Sequence, residues 1–378
     1  CGRLWHTTSR DDVLGAPRID LVVVLLGGET VARGLVEQAI DSGKAVVTAN
    51  KMLLALHGPA LLARAIERRV DLAFEGAVGG GIPIIRTLRD ALASDWVESL
   101  AGIVNGTCNF VLTRMRHDGL SLDEAIREAQ DKGYAEADPS LDVDGHDAAH
   151  KLVVLAMLAF GARVVAGAVS VEGIRGIDAA DHRFAERFGY VFKHLAIGRD
   201  RGQSIELRVH PTLVPKSSVL ANVSGVLNAI LLEGRGLGPC LLSGRGAGDL
   251  PTAVSVVSDI LDVARSIVAG VAGLSTRGIA VAPRPLLPMS EVEARYYLRF
   301  GVADRPGVMG RLAGALGETG VSIEQIVQHG LPDAGGGPVE VVMVTHRARE
   351  GALRAALSAI AAEEFVRREP KLFRIEDL

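Results

Sequence analysis

The sequence predicts an α/β protein with three parts: a doubly wound parallel sheet, a mixed-sheet α+β domain and a small ferredoxin-like module. Three observations support this fold class. Strand and helix patterns alternate near the start, alternating strands follow a glycine-rich region, and a βαββαβ order closes the chain after a linker. At 378 residues the chain is long enough for two or three domains, each with its own core.

Composition and charge exclude several classes of partner. The chain is 48% hydrophobic and 23% charged, with a formal net charge of -4. No stretch concentrates Lys and Arg, so we expect no nucleic-acid partner. The apolar run at 21–26 is far too short to cross a bilayer and no signal peptide is visible, so we expect no membrane association. Cys1, Cys108 and Cys240 show neither a disulfide framework nor metal spacing, which favours a reducing cytoplasm.

Residues 19–26 form a largely continuous β-branched and aliphatic run, which is typical of a strand buried on both faces of a parallel sheet. The predicted elements that follow are a helix over 31–42 with Gly43 as its C-cap, a strand over 45–48, a helix over about 60–69 and a strand over 70–74. This order predicts a doubly wound sheet, whose ligands lie beyond the carboxyl ends of its strands. The residues expected there are Gly27, Gly28, Asn50 and Lys51, although strand-end glycines are more often only tight turns.

A complete dinucleotide-binding fold opens with a strand, a G-x-G-x-x-G turn and a helix, and this chain has no such opening. Residues 5–8, followed by Asp11 and Asp12, resemble the tail of an internal strand and its loop. We therefore expect the first strand, the phosphate-binding turn and the second strand to lie upstream. The alternative is that the protein never used a dinucleotide.

Two glycine-rich loops are candidate ligand sites. Residues 75–85 contain three consecutive glycines, which let the backbone approach an anion or a carbonyl-bound cation, or else form only a hinge between domains. Residues 244–248 open a helix predicted over about 252–269, where a phosphate or carboxylate could bind, although such loops are often only close packing. The sequence leaves these alternatives open.

The most polar segment is 133–151, with five acids, two histidines and one lysine in nineteen residues. Pro139 and Gly145 predict a loop over 136–144, followed by a helix with Asp144 as its N-cap. Asp147 and Lys151 are four residues apart, so they share one face of that helix.

Lys151 lies where this helix becomes apolar all round, so its amine should be partly desolvated. Burial disfavours the charged ammonium, whereas Asp147 and Asp142 favour it, and a lysine balanced in this way can transfer a proton. The alternative is a solvated salt bridge worth about 0.3–0.5 kcal/mol, which the spacing of the two charges alone favours.

The remaining elements predict a mixed or antiparallel sheet and then a separate module. The turn Asn105-Gly106-Thr107 follows a strand over 96–104 and could hold a small polar substrate. Further elements are a helix over 122–132, a strand over 169–174, a helix over 179–195, a half-exposed strand over 204–210 that ends at Pro211, and a strand over 226–233. After a linker at 278–288 come a strand over 294–302, a helix over 307–318, a strand over 322–328, a glycine loop over 335–337, a strand over 339–345, a helix over 350–362 and a strand over 366–375.

These stretches resemble the homoserine dehydrogenases that carry a C-terminal ACT domain, over essentially the whole chain from about Ile19. The matching stretches are 48–51 (Thr-Ala-Asn-Lys), 79–83 (Gly-Gly-Gly-Ile-Pro), 105–107, 133–139 (Gly-Tyr-Ala-Glu-Ala-Asp-Pro), 142–147 with Lys151, 208–211 (Arg-Val-His-Pro) and 244–248 (Gly-Arg-Gly-Ala-Gly). Residues 304–308 resemble the opening turn of an ACT domain, which in relatives binds an amino acid or pairs with another copy.

The resemblance implies NAD(P)-dependent interconversion of L-homoserine and L-aspartate 4-semialdehyde, in threonine and methionine biosynthesis. It implies that Lys151 donates the proton to the aldehyde oxygen and that Lys51 assists charge or proton handling beside the nicotinamide. The residues implied to hold the substrate or the catalytic lysine are Glu136, Asp142 and Asp147. Those implied to line the cofactor, NADP or NAD, are Gly27, Gly28, Ala49, Lys51 and Gly246. Those implied to hold a monovalent cation (Na⁺ or K⁺), mainly by main-chain carbonyls, are Glu75, Val78, Gly80 and Ile82.

The domains implied are the remainder of an incomplete Rossmann-type NAD(P)-binding domain over 1–75, a catalytic and dimerisation domain over 76–283 and an ACT domain over 292–378. The helix at 252–269 returns to the first domain in this interpretation. A homodimer or higher homo-oligomer and an amino-acid effector at the ACT domain are the expected partners. The competing function is a catalytically impaired relative that acts as an amino-acid-binding regulatory protein. The acids gathered around Lys151 favour the enzyme, because a sensor has no need to keep them together.

Overall fold

The computed structural model describes residues 6–329 and 339–378, and two sheets organise that part of the chain. A three-stranded sheet holds the N-terminal elements, and an eleven-stranded sheet runs through the rest. The predictions for Trp5 and for the glycine loop at 335–337 lie outside the described residues. No helix within the described ranges is both long and apolar enough to cross a membrane.

The N-terminal sheet consists of three parallel strands, in the order in which they occur in the chain. The elements of this part are α1 (Arg10–Leu14), β1 (Leu21–Val24), α2 (Thr30–Asp41), β2 (Ala45–Thr48), α3 (Lys51–Arg68), β3 (Leu72–Ala73) and α4 (Ile84–Arg86). The predicted parallel sheet with alternating strands and helices is therefore confirmed. The helix predicted from about residue 60 begins at Lys51 instead, because the Asn50 side chain accepts the Leu53 N–H at 2.9 Å and caps it. Pro59 lies inside this helix without ending it.

The middle of the chain alternates long antiparallel strands with helices. Its elements are β4 (Val97–Ile103), α5 (Gly106–Asp118), α6 (Leu122–Asp131), α7 (Ser140–Val143), α8 (His146–Ala159), β5 (Ala162–Arg163), β6 (Ser170–Val171), α9 (Ala179–Arg187), β7 (Tyr190–Asp200), β8 (Ile205–Pro215), β9 (Leu227–Gly234), β10 (Gly238–Arg245), α10 (Asp249–Val268), α11 (Leu274–Arg277) and β11 (Ala282–Pro283). The mixed sheet expected from the sequence is confirmed, and β10 is a strand that the sequence did not predict.

Three predictions for this part are wrong in detail. The loop at 136–144 contains the helical turn α7, and Gly145 rather than Asp144 precedes α8. The helix predicted over 179–195 ends at Arg187, because Gly189 has a φ of +84° and the chain turns into β7 there.

The strand predicted to end at Pro211 continues through it and is buried on both faces. Pro211 is tolerated because it lies between the part of β8 that pairs with β6, up to Val209, and the part that pairs with β16, from Thr212. No strand on that edge needs an N–H at this position.

The C-terminal elements follow the predicted βαββαβ order. They are β12 (Glu293–Val302), α12 (Val308–Glu318), β13 (Ile323–His329), β14 (Val339–Thr345), the short β15 (Ala348–Arg349), α13 (Glu350–Ala361) and β16 (Val366–Ile375). The prediction of an independent module is wrong, however. Strand β16 pairs in parallel with β8, through Arg374 opposite Thr212 and Ile375 opposite Leu213. The sheet of this module is thus continuous with the central sheet.

Two helices of the middle part pack back onto the N-terminal part. Helix α10 places Val256 and Val263 in an apolar cluster with residues of β2 and β3. Helix α8 packs along α3, where a Cβ added to Gly58 would lie 3.2 Å from the Met157 sulfur. The pairing of α3 with α8 brings the start of α3 close to the first turns of α8, and this junction forms the candidate site.

Candidate active site

Three segments meet at this junction, and each begins a helix. Lys51 is the first residue of α3 after β2, and Asn105 caps α5 after β4. Asp147 lies in the first turn of α8, with Lys151 one turn later. Two strand ends that run into helices and the first two turns of α8 therefore place four polar side chains at one point.

Asp147 is the centre of the site. Lys151 Nζ donates to Asp147 Oδ2 at 2.7 Å, and Lys51 Nζ lies 3.0 Å from Asp147 Oδ1. Asn105 Nδ2 also donates to Asp147 Oδ2, at 2.8 Å. The predicted i,i+4 contact between Asp147 and Lys151 is present, and both side chains are buried, with 5% and 10% of their surface exposed. The solvated salt bridge considered from the sequence does not describe this pair.

Lys151 Nζ has a second acceptor, the main-chain carbonyl of Val104 at 2.8 Å. An ammonium group has three donors, so two are committed to protein acceptors, and the third has no acceptor within the described part of the chain and remains for another molecule. Lys51 is more accessible, with 36% of its side chain exposed. The pair thus combines a sheltered amine with a neighbouring amine that reaches solvent.

The pKa values of the two acids nearest the lysines are shifted in opposite directions. Burial by itself raises the pKa of Asp147, but the charges of Lys151 and Lys51 outweigh burial and hold that pKa well below its ordinary value. Burial raises the pKa of Asp142, and the neighbouring charge of Asp147 raises it further. Asp147 is therefore the fixed negative charge of the site.

Asn105 links the two acids, a role that the sequence did not reveal. Its Nδ2 donates to Asp142 Oδ1 at 2.7 Å as well as to Asp147, while its Oδ1 accepts the Cys108 N–H at the start of α5. The Asn-Gly signal predicted a turn that could hold a small polar substrate, and it did not predict the link between the two acids. The available signal was an asparagine at a helix N-cap directly after a strand, since such a side chain is fixed by the helix it caps.

Glu136 lies outside the Asp147 cluster, and His150 has a feature that the sequence did not predict. Glu136 is exposed on the loop before α7, and only its main-chain carbonyl has a hydrogen bond, from Gln130, among the described residues. The structure does not bring its carboxylate into the Asp147 cluster. His150 was assigned no role, yet its Nδ1 is buried without a partner in the described part of the chain, and burial lowers its pKa.

The strand ends beside Lys51 form an open surface at the carboxyl edge of the parallel sheet. Asn50 Nδ2 donates to the carbonyls of Leu26 at 2.9 Å and Gly28 at 2.6 Å, and so fixes the exposed loop that contains Gly27. A groove of about 460 Å³ lies between Leu25 and the first turns of α10. Ala49 is half-buried in the same region, next to Gly76. Ligands of parallel sheets bind at such carboxyl ends.

The two glycine-rich loops pack directly against each other. A Cβ on Gly80, which has a φ of +56°, would lie 2.6 Å from the carbonyl carbon of Gly246. A Cβ on Gly246 would lie 1.9 Å from Cγ of Asn228, whose side-chain oxygen is buried without a partner among the described residues. Both positions therefore require glycine, which brings the 244–248 loop against the 75–85 loop.

In the 75–85 loop, Glu75 is committed to the protein main chain. Its carboxylate accepts the N–H groups of Ile85 at 2.8 Å and Arg86 at 3.0 Å, and burial raises its pKa to about 7. The Gly80 carbonyl accepts the Ser255 hydroxyl at 2.6 Å. Within the described residues no group of three or more His, Cys, Asp or Glu side chains could hold a metal ion. A cation at this loop would therefore depend on main-chain carbonyls.

Comparisons with known proteins match the whole described architecture. Family models match the chain in three parts: "Homoserine dehydrogenase, NAD binding domain" over residues 3–75, "Homoserine dehydrogenase" over 83–261 and "ACT domain" over 296–362. A homoserine dehydrogenase of Pseudomonas aeruginosa is 44% identical over 371 residues, which cover 97% of this chain and 85% of that protein. One of Bacillus subtilis is 40% identical, with 98% of this chain and 85% of that protein covered.

Solved structures give the same result. The crystal structure of a homoserine dehydrogenase from Thiobacillus denitrificans superposes with a TM-score of 0.93 at 44% identity, covering 98% of this chain and 85% of that one. A hyperthermophilic archaeal homoserine dehydrogenase in complex with NADPH superposes with a TM-score of 0.60 at 28% identity, covering 69% of this chain and 76% of that one.

Proposed function

The chain belongs to the homoserine dehydrogenase family, and from that premise we propose which residues carry out its reaction. The protein is an NAD(P)-dependent oxidoreductase that interconverts L-homoserine and L-aspartate 4-semialdehyde, a step of threonine and methionine biosynthesis. The regulatory alternative considered from the sequence has no support in these comparisons. The Asp147 cluster and its surroundings supply the residues for the reaction.

Lys151 is the proposed proton donor, and the observation that carries this assignment is its buried ammonium with one donor left free. When bound, the nicotinamide supplies or accepts the hydride. As the aldehyde carbon gains a hydride, the C=O π electrons move to its oxygen, and Lys151 gives that oxygen a proton to yield the alcohol. In the oxidising direction, neutral Lys151 takes the hydroxyl proton as the carbon loses its hydride. An amine at this position also stabilises charge that develops on the oxygen.

Asp147 holds Lys151 in place and compensates its charge, and Lys51 shares the same carboxylate from the side of the strand ends. Asp142, linked to Asp147 through Asn105, is the proposed partner for a polar group of the substrate. Glu136 is a proposed substrate ligand by family resemblance, and its place on an exposed loop beside the site requires that loop to approach the bound substrate.

Gly27, Gly28, Ala49, Lys51 and Gly246 are the proposed cofactor-lining residues, and the cofactor is NADP or NAD. Two observations support this assignment: Asn50 holds the loop after β1 by hydrogen bonds, and a groove lies between this loop and α10. An archaeal relative is described in complex with NADPH. The residue that determines whether NAD or NADP binds normally follows the second strand of a complete dinucleotide-binding fold. None of these five residues is that residue.

A monovalent cation, Na⁺ or K⁺, is proposed at the loop that contains Glu75, Val78, Gly80 and Ile82. The positive φ angles of Gly79 and Gly80 turn this part of the backbone sharply, which can bring carbonyl groups together. The Gly80 carbonyl keeps one lone pair beyond its bond from Ser255. Glu75 supplies negative charge when ionised.

For the domains, we propose boundaries at 1–75, 76–283 and 292–378, with α10 packed on the first domain. A homodimer or higher homo-oligomer, an amino-acid effector at the ACT domain and a cytoplasmic location are further proposals. Free Cys108 and Cys240 are consistent with a reducing compartment.

The test is homoserine-dependent formation of NAD(P)H, followed by absorbance, with the full chain and its Lys151→Ala variant. We expect the substitution to lower kcat by about 10²–10⁴-fold while circular dichroism shows an intact fold, because the proton-transfer group is lost. Unchanged turnover would remove Lys151 from the proposed role.

The matched control is Lys193→Met, since Lys193 is another buried lysine, with 3% exposure, but it lies in β7 and bonds to Val223 and Asn109. Its replacement should leave kcat within about two-fold of the parent, because surface and core changes outside a site alter stability rather than chemistry. A loss equal to that of Lys151→Ala would show that any buried lysine is required merely for folding.

A further inference from the structure

Residues 170–175, here called the bridge segment, lie between the ACT domain and the helix that carries Lys151. The segment begins with β6 and is attached to the central sheet, where the Glu172 N–H donates to the Val209 carbonyl at 2.8 Å. Neither the proposed chemistry nor the ACT domain match assigns it a role. Its contacts extend in two opposite directions.

On the ACT side, the bridge segment is held through Glu172. Arg374 of β16 donates to both oxygens of this carboxylate, at 2.8 and 2.9 Å, and Arg354 of α13 adds a bond at 3.2 Å. Arg374 is itself fixed, because two further bonds of 2.6 Å join it to Glu350 at the start of α13. Bidentate arginine–carboxylate pairs fix orientation as well as distance. The position of Glu172 is therefore set by the ACT domain.

On the other side, the bridge segment is packed against the backbone that precedes α8. A Cβ on Gly173 would lie 2.3 Å from the Val143 carbonyl oxygen, so these two backbone segments approach each other to a distance that only glycine permits. The Ile174 N–H donates to the same carbonyl at 2.8 Å. Arg175 pairs with Asp144. Three successive bridge residues thus hold the turn at 143–145.

A buried imidazole completes the connection. His194 Nε2 lies 3.1 Å from the Glu172 carbonyl oxygen and 3.2 Å from the position of a Cβ on Gly145. Burial lowers the pKa of His194 to about 4, so it is neutral at ordinary pH and acts as a spacer between the two backbones. Gly145 has a φ of +90° and no Cβ, which lets its backbone lie this close to the imidazole ring.

The turn at 143–145 determines where α8 begins. Gly145 precedes the helix without a side-chain cap, and its carbonyl accepts the Ala149 N–H at 3.0 Å. Asp147 is in the first turn, so a displacement of this turn moves Asp147 and, with it, the acceptor of Lys151. A misplacement of about 1 Å at reacting groups can cost on the order of 10²-fold in rate.

We propose that Glu172 is a positioning residue, through which the ACT domain sets the first turn of α8 and hence the Asp147–Lys151 pair. This inference rests on the proposed role of Lys151 and extends it to regulation of the same site. Any change of the ACT domain that loosens Arg374 or Arg354 from Glu172 would then reach the catalytic amine through the bridge segment and the 143–145 turn.

The test compares Glu172→Gln with Asp178→Asn in the full chain. Both residues are carboxylates outside the ACT domain that accept bonds from ACT cations, since Asp178 bonds to Arg299 and Lys371. Only Glu172 belongs to the segment that touches the 143–145 turn. We expect Glu172→Gln to lower kcat by about 2- to 30-fold with the KM for homoserine little changed, because Lys151 acts on the transition state. Glu172→Asp should restore part of the loss, and Asp178→Asn should leave kcat unchanged.

Two results would overturn the inference. One is a Glu172→Gln variant with the parent kcat. The other is an equal loss of kcat in both variants that follows their loss of melting temperature, as a merely structural role requires. Lys151→Ala, measured alongside, separates the two proposals: if it is inactive while Glu172→Gln is fully active, the role of Lys151 stands and only the positioning role fails.

Discussion

Two regions of this molecule bury several charges, and they use different cations. The Asp147 cluster is built on lysines, Lys151 and Lys51, around one carboxylate. The second region, here called the arginine lattice, joins the ACT domain to the central sheet. It consists of Arg208, Arg374, Glu172, Glu206, Glu350 and Glu376.

The difference lies in whether the buried cation can release a proton. Arg374 makes two bonds to each of Glu350 and Glu172 at 1% exposure, and Arg208 bonds to Glu206 and Glu376 at 0%. A guanidinium keeps its proton at any ordinary pH, so the lattice fixes the positions of the groups it joins and transfers no proton. Lys151 is an amine, which can give up a proton to a substrate oxygen. A buried cation can therefore take part in proton transfer where it is a lysine, whereas a buried arginine only fixes positions.

The strongest test of this comparison replaces the lysine of the Asp147 cluster with an arginine. Lys151→Arg keeps a positive charge beside Asp147 but removes the group that gives up a proton, so kcat should fall by about 10²–10⁴-fold. Steady-state homoserine oxidation gives the rate, and a urea titration shows whether the fold persists. A variant that retains most of its turnover would mean that the charge of residue 151 is sufficient.

The converse exchange tests the lattice. Arg208→Lys replaces a planar fork with a point charge, so at least one bond to Glu206 or Glu376 is lost. Each lost bond to a buried charge should cost about 1.5–3 kcal/mol of unfolding free energy, whereas kcat of the folded protein should not change. Urea unfolding at constant pH measures the first quantity.

Arg368→Lys is the matched control for the lattice, because Arg368 also pairs with a carboxylate of the ACT sheet, Glu340, but is 63% exposed. An exposed pair contributes about 0.2–1 kcal/mol, so its unfolding free energy should hardly change. Equal destabilisation of the two variants would contradict the view that burial makes the hydrogen bonds of the lattice important for stability.

The sequence predicted the Asp147 cluster better than the lattice, for a physical reason. Asp147 and Lys151 are four residues apart on one helix, so local periodicity places them together. Glu376 and Arg208 are 168 residues apart and meet only because β16 pairs with β8. No local pattern reports a parallel pairing between two domains, and for the same reason the ACT segment was predicted as independent.

Errors within elements have local causes. The roles of Asn50 and Asn105 as helix caps were not predicted: Asn50 was expected at a strand end beside a ligand and Asn105 in a turn, although each caps a helix that starts directly after a strand. The helix predicted to extend to residue 195 ends at Arg187, shortly before Gly189. Val339–Thr345 and the other ACT elements were predicted within a few residues, because linkers and glycines mark their ends. Side-chain roles at element boundaries were thus less predictable than the elements.

Another buried cation, Lys193, sharpens the comparison because it has no acid partner among the described residues. It is 3% exposed, and its amine donates to the Val223 carbonyl and, at 3.4 Å, to Asn109 Oδ1. Burial and, to a smaller extent, the charge of Arg116 lower the pKa of Lys193 to about 8. The unfolded chain keeps its proton up to a pKa of about 10.4.

Between pH 8 and about 10.4, the unfolded state therefore binds more protons at residue 193 than the folded state does, so this group makes stability rise with pH in that window. The slope is at most about 1.4 kcal/mol per pH unit. Lys193→Met should remove the rise while keeping the Val223 carbonyl bonded, since Asn109 Nδ2 also donates to it at 3.1 Å. Urea unfolding at several pH values in this window measures the difference between parent and variant.

The difference between the two slopes isolates Lys193, because every tyrosine and cysteine that titrates above pH 8 is common to both proteins. A parent that gains stability relative to Lys193→Met as pH rises would show what a buried amine does without a carboxylate: it releases its proton to the solvent rather than holding a fixed charge. If the unfolding free energies of parent and variant change in parallel with pH, Lys193 remains charged in the folded protein. In that case burial without a carboxylate partner would not be enough to make a lysine release its proton.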